Sequence, residues 1–120
     1  MRGRPGAGAV GLLVLVLTIT LAACQDGSGD RAAEATPVTG VTEVLAKDLR
    51  FKPPAIEVPA GTQVTWRFDD GSVPHNVKGD GFASKNQTEG TFAHRFDRAG
   101  EYRYTCTLHA GMDGRVVVTD

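Results

Sequence analysis

The 120-residue chain has no charge of one sign in excess: 13 Lys and Arg stand against 14 Asp and Glu, for a formal net charge of −1. That balance excludes the basic footprint of a nucleic-acid binder and the acidic block of an interaction tail. No Gly-rich phosphate loop, nucleophile triad or zinc-binding HExxH segment is present, so the common hydrolase and nucleotide-binding patterns are excluded as well. Internal repeats and amphipathic helical periodicity are also missing. There are only two cysteines, Cys24 and Cys106, too few for a disulfide framework. The length leaves room for one domain.

The N-terminus reads as an address. Arg2 and Arg4 precede a stretch from Ala9 to Ala23 that is apolar apart from threonines and a glycine. It is too short and too near the end for a spanning helix. It closes on Leu21-Ala22-Ala23-Cys24, and small residues followed directly by cysteine resemble the lipobox of bacterial lipoproteins. The resemblance implies a signal peptide over residues 1–23 and a diacylglyceryl group on Cys24, which becomes the new N-terminus. The expected location is therefore the outer face of a bacterial cell membrane, or a periplasmic membrane face, with the protein held there by lipid. Residues 24–40 are small and polar, including Asp26-Gly27-Ser28-Gly29-Asp30, and are expected to form a flexible linker. The domain is expected over residues 41–120. With Cys24 carrying lipid, Cys106 has no disulfide partner in an oxidising compartment, and a metal would occupy it.

Within the domain the hydrophobic period is two. Leu49 and Phe51 alternate with charged residues, Ile56 and Val58 flank Glu57, and Val64, Trp66 and Phe68 share one face. Phe92, His94 and Phe96 share a parity, as do Tyr102, Tyr104 and Cys106; Arg115 to Thr119 closes the chain as a strand. Turn signals separate these runs at Pro53-Pro54, Pro59-Ala60-Gly61, Asp69-Asp70-Gly71-Ser72 and Asp97-Arg98-Ala99-Gly100. About seven short strands predict an all-β fold, an antiparallel Greek-key β-sandwich. Gly100-x-Tyr102 suits a tyrosine corner, in which the phenol bonds back to nearby backbone. A domain of roughly 80 residues buries a modest core, led here by Trp66 and four phenylalanines.

The chemistry concentrates in Cys106-Thr107-Leu108-His109-Ala110-Gly111-Met112, with His75 upstream in Pro74-His75-Asn76-Val77. Cysteine, two histidines and methionine form the donor set of a blue-copper electron-transfer site. The thiolate is a soft donor for both copper oxidation states, the imidazoles complete a plane, and the thioether is a weak axial donor that disfavours tetragonal Cu(II). Unrelated core residues are the alternative, and the order and spacing weigh against it.

From Ile56 onward the sequence resembles the cupredoxins, and among them the amicyanin type. The matching residues are Ile56-x-Val58-x-x-Gly61-x-x-Val64-x-Trp66, then Pro74-His75-Asn76-Val77, then Gly100-x-Tyr102-x-Tyr104-x-Cys106-Thr107-x-His109-x-Gly111-Met112. The short gap between His109 and Met112 separates it from plastocyanins. The resemblance implies one copper per chain bound by His75, Cys106, His109 and Met112. It also implies that Asn76 ties the ligand loops together, with its N–H toward the Cys106 sulfur and its side chain toward Thr107. His109 would reach the surface through an apolar rim of Val73, Pro74, Leu108, Ala110 and Met112, suited to brief docking. Ala110 stands where relatives often carry Pro, and the freer loop leads us to expect that His109 leaves reduced copper at mildly acidic pH.

The function expected is a non-enzymatic, monomeric carrier of single electrons between redox proteins such as an oxidase, reductase or dehydrogenase. Copper storage or delivery with the same ligands is one alternative, and a metal-free interaction module is another. A dinuclear site would need a second domain cysteine. His94, between Phe92 and Phe96, reads as a core or edge residue. Asp69 and Asp70 read as turn residues, Phe82 as a loop anchor, and Lys85, Asn86 and Gln87 as solvated.

Overall fold

The computed structural model describes residues 31–120, together with Gly3, Gly6 and Gly8. The apolar leader stretch and Cys24 lie outside the described residues. One helical turn, α1 (Arg31–Glu34), is followed by ten strands: β1 (Val38–Thr39), β2 (Glu43–Lys47), β3 (Arg50–Lys52), β4 (Ala55–Pro59), β5 (Thr62–Asp69), β6 (Lys78–Gly79), β7 (Phe82–Ala83), β8 (Glu89–Phe96), β9 (Gly100–Thr105) and β10 (Asp113–Thr119). They form a six-stranded sheet, β1-β4-β10-β9-β6-β7, and a four-stranded sheet, β3-β2-β5-β8.

The β-sandwich expected from the alternation is present, but its sheets are mixed. β1 pairs parallel with β4, β4 with β10, and β2 with β5; the other pairings are antiparallel. Period-two alternation reports which face is buried and is the same for either strand direction. The strands not read from the sequence include β1, β6 and β7, each of two residues and too short to alternate, and β2, whose residues lie ahead of the Leu49–Phe51 alternation.

The segment expected as linker is partly docked. From Arg31 to Thr39 it lies on the larger sheet: Ala32 is buried, and β1 runs beside β4 with Val38 opposite Ile56. Arg115, only 12% exposed at its side chain, donates from Nε to Ala32 O at 2.9 Å and from Nη2 to Ala35 O at 2.6 Å. These bonds satisfy backbone carbonyls that a free tether would leave to water.

The core lies between the sheets. β5 contributes Val64, Trp66 and Phe68, all essentially buried, as its alternation requires. Trp66 is the centre: Tyr104 lies 5.2 Å away edge-on, and Phe92, Phe82 and Phe96 lie 5.7, 5.9 and 6.4 Å away between ring centroids. Truncating such a side chain costs about 3–5 kcal/mol. Phe82 is more than a loop anchor, because it is buried and stacks on both Trp66 and His94. His94 is half-buried, 4.8 Å from the centroids of Phe82 and Phe96, in the aromatic packing role expected for it. The tyrosine corner is formed: Tyr102 Oη donates to Arg98 O at 2.8 Å. Burial pushes the Tyr104 phenol well above its ordinary value, so it stays protonated beside Trp66.

Candidate metal centre

Two loops carry the candidate ligands. The first leaves β5. Val73 N donates to Asp70 O at 3.0 Å, closing a turn after the last strand residue. Two residues later His75 exchanges backbone hydrogen bonds with Gln87, at 2.9 and 2.8 Å. Gln87 therefore fixes the His75 backbone, which its expected solvated role did not include. The second loop joins the antiparallel partners β9 and β10. Its neck is closed by Cys106 N to Met112 O at 2.8 Å and by Thr105 Oγ1 to the same carbonyl at 3.1 Å. Gly111, at φ 78°, takes a left-handed conformation that a side chain would oppose.

Asn76 ties the two loops through its side chain. Its Nδ2 donates to Thr107 Oγ1 at 2.7 Å, and its Oδ1 accepts from Thr107 N at 2.9 Å. Nδ2 also reaches Asn86 Oδ1 at 2.8 Å, so Asn86 belongs to this junction. The expected hydrogen bond from the Asn76 N–H to the Cys106 sulfur is not formed among the described residues; the side-chain pair with Thr107 makes the tie.

The folded loops bring donor atoms of His75, Cys106 and His109 within 4.8 Å of one another. Cys106 Sγ lies 3.9 Å from His75 Nδ1, and the two imidazole centroids are 4.9 Å apart at 65°. His75 and Cys106 are buried and His109 is half-buried. Met112 is also buried, at 1% exposure. It therefore does not join the surface rim expected for it, which leaves exposed Pro74, Leu108 and Ala110 with half-buried Val73.

Both imidazoles have their outer nitrogen occupied. His75 Nε2 lies 2.8 Å from Asp70 Oδ2, and His109 Nε2 lies 2.9 Å from Pro74 O. A carbonyl only accepts and an ionised carboxylate only accepts, so both Nε2 atoms carry the hydrogen. In the neutral rings this tautomer leaves Nδ1 as the lone pair, the form that binds metal. The bond from His75 holds the Asp70 carboxyl below the usual carboxylate range, against partial desolvation. Asp70 was read from sequence as a turn residue only. Its signal, a carboxylate five positions before the histidine with Gly-Ser between, does not differ from that of an ordinary turn.

Two imidazole nitrogens and a thiol in one cluster fit copper: all three are soft or borderline donors, and among the described residues no carboxylate joins the cluster. The comparisons with known proteins agree. Residues 38–119 match the family described as copper binding proteins, plastocyanin/azurin family. Amicyanin-alpha of Methylorubrum extorquens is 34% identical over 123 residues, covering 96% of this chain and 98% of that protein. A purple cupredoxin from Nitrosopumilus maritimus superposes with a TM-score of 0.60 at 31% identity, over 66% of this chain and all of that one. A reduced Cu(I) amicyanin variant superposes with a TM-score of 0.61 at 30% identity, over 73% and 89% of the two chains. Sequence pattern, sandwich and converging donors lead to one assignment: the chain belongs to the plastocyanin/azurin family of copper-binding proteins, with a cupredoxin fold.

Proposed function

We propose that this protein is a type 1 copper protein that carries single electrons between redox proteins at the extracytoplasmic face of a membrane. The observation that carries the reading is the convergence of Cys106 Sγ with a ring nitrogen of His75 and one of His109, both rings fixed by hydrogen bonds from Nε2. Copper bound there supplies one-electron chemistry by alternating between Cu(I) and Cu(II).

The chain's own residues do the rest. Cys106 would offer copper a soft sulfur, His75 and His109 two nitrogens, and Met112 a weak thioether. The Asn76–Thr107 pair keeps the two loops in register, so the donors need not rearrange when the charge at the site changes. Pro74, Leu108 and Ala110 surround the half-buried His109 with a small apolar surface, suited to the brief contact of a redox partner. Four donors leave no open position for a substrate, which favours a carrier over an enzyme. The lipobox at Cys24 supports attachment to the membrane as a lipoprotein, and we read the working unit as a monomer.

One equivalent of Cu(II) added to the apo-protein should produce an intense blue thiolate-to-copper band, and Cys106→Ala should abolish it. No band would exclude the type 1 site. A reversible potential with fast self-exchange then supports the carrier; transfer of copper itself to an acceptor protein would replace it with delivery.

A further inference from the structure

The buried histidine is held from behind by a carboxylate that lies outside the ligand pattern. Asp70 Oδ2 stands 2.8 Å from His75 Nε2, its side chain 16% exposed while that of His75 is fully buried. The carboxylate is itself restrained at two places. Its own backbone closes the turn to Val73. Its Oδ2 also faces Leu49 N at 3.5 Å, across the tip of the β2–β3 hairpin. That tip is strained: Asp48 and Leu49 both hold left-handed conformations, φ 53° and 57°, and Leu49 is 51% exposed. Asn-Gly would fit such a two-residue turn without strain. A pair of left-handed residues with side chains persists where the surroundings hold it, and such strain gathers at functional sites.

We propose that Asp70 is a positioning residue for the copper ligand His75, and that the Asp48–Leu49 hairpin tip holds Asp70 in place. The proposal deepens the copper reading and rests on it for its redox consequence, whereas the state of the His75 ring can be read without copper. By accepting from Nε2–H, Asp70 selects one tautomer and one ring rotation, and so keeps the Nδ1 lone pair toward Cys106 Sγ. An anionic partner also makes the imidazole a stronger donor, which stabilises the higher oxidation state and lowers the potential. Asparagine can still accept the hydrogen bond but carries no charge; alanine removes both.

The test uses 15N-histidine NMR of the apo-protein, followed by copper titration and voltammetry. Wild type should show a single His75 tautomer with hydrogen on Nε2. Asp70→Asn should keep that tautomer, keep the blue band and raise the potential. Asp70→Ala should give mixed tautomers and lose about 10- to 100-fold in copper affinity, and Asp70→Glu should restore part of it. Leu49→Pro, which removes the backbone donor and cannot hold the left-handed φ, opens the hairpin tip and should shift the tautomer signal in the same direction as Asp70→Ala, by less. An unchanged His75 tautomer and unchanged affinity in Asp70→Ala would overturn the role of Asp70. An unchanged signal in Leu49→Pro would overturn that of the hairpin. If no variant, wild type included, takes up copper, the copper reading has failed, and the tautomer in apo Asp70→Ala still decides the role of Asp70.

Discussion

The two histidines of the site make the same kind of bond to the rest of the protein from opposite situations. His75 is fully buried, its backbone paired with Gln87 and its ring backed by a carboxylate. His109 sits half-exposed in a seven-residue loop, its ring backed by the neutral carbonyl of Pro74. One ligand belongs to the scaffold and the other to the surface. On the proposed carrier function this gives a division of labour: the inner imidazole would fix the electronic character of the site, and the outer one would meet the partner. It also predicts which ligand can be replaced from solution.

The sharpest way to break the comparison is to remove each ring in turn. His75→Gly and His109→Gly should both lose the blue band completely. Added imidazole should restore it only in His109→Gly, where a cavity would open to solvent; rescue of His75→Gly would show that the inner site is not closed. A smaller effect tests the rigidity of the scaffold beneath the thiolate. Gly114 lies opposite Tyr104 on the strand pair that leads to Cys106, and a Cβ there would overlap the Tyr104 ring. Gly114→Ala should cost about 1–3 kcal/mol in denaturant unfolding of the apo-protein, and a neutral outcome would mean that this side yields more easily than the packing implies.

The third prediction follows the charge behind His75. The folded pKa of Asp70 lies below its unfolded value, which is near ~3.9. Its stabilisation is therefore complete above the unfolded value and is lost as pH falls through the folded one. The difference in urea midpoint between apo wild type and Asp70→Asn should stay constant from neutrality down to about pH 5 and close in more acidic solution. A gap independent of pH would place the stabilisation elsewhere. The smallest effect belongs to the hairpin tip: Leu49→Gly keeps the backbone donor and removes a left-handed side chain, so stability should rise by about 1 kcal/mol. A loss would show that the exposed Leu49 side chain makes contacts that outweigh its backbone strain.

Much of this site is legible in the sequence. β5, β9 and β10 alternate cleanly because one face of each is buried, and the Cys106–Met112 spacing names its donors directly. Strand direction was not legible, because a parallel and an antiparallel strand with one buried face share the same period. Nor was the role of Asp70: in Asp69-Asp70-Gly71-Ser72 a side chain that turns inward to a ligand reads the same as one that faces water. Met112 was expected in two places, as axial donor and as surface rim, and its burial is incompatible with the second. The docking of residues 31–39 was hidden by composition. Alanine, glutamate and threonine suit a tether, and only Arg115, eighty residues away from Ala35, turns their carbonyls into an attachment.

That attachment sets a length. If Cys24 carries the proposed lipid, the chain between the lipid and the docked segment runs to Arg31 rather than to Val41. Seven residue steps reach at most about 25 Å, where seventeen would reach about 60 Å. The domain would then work within a few nanometres of the bilayer, and only redox partners presenting their docking face at that height could meet His109.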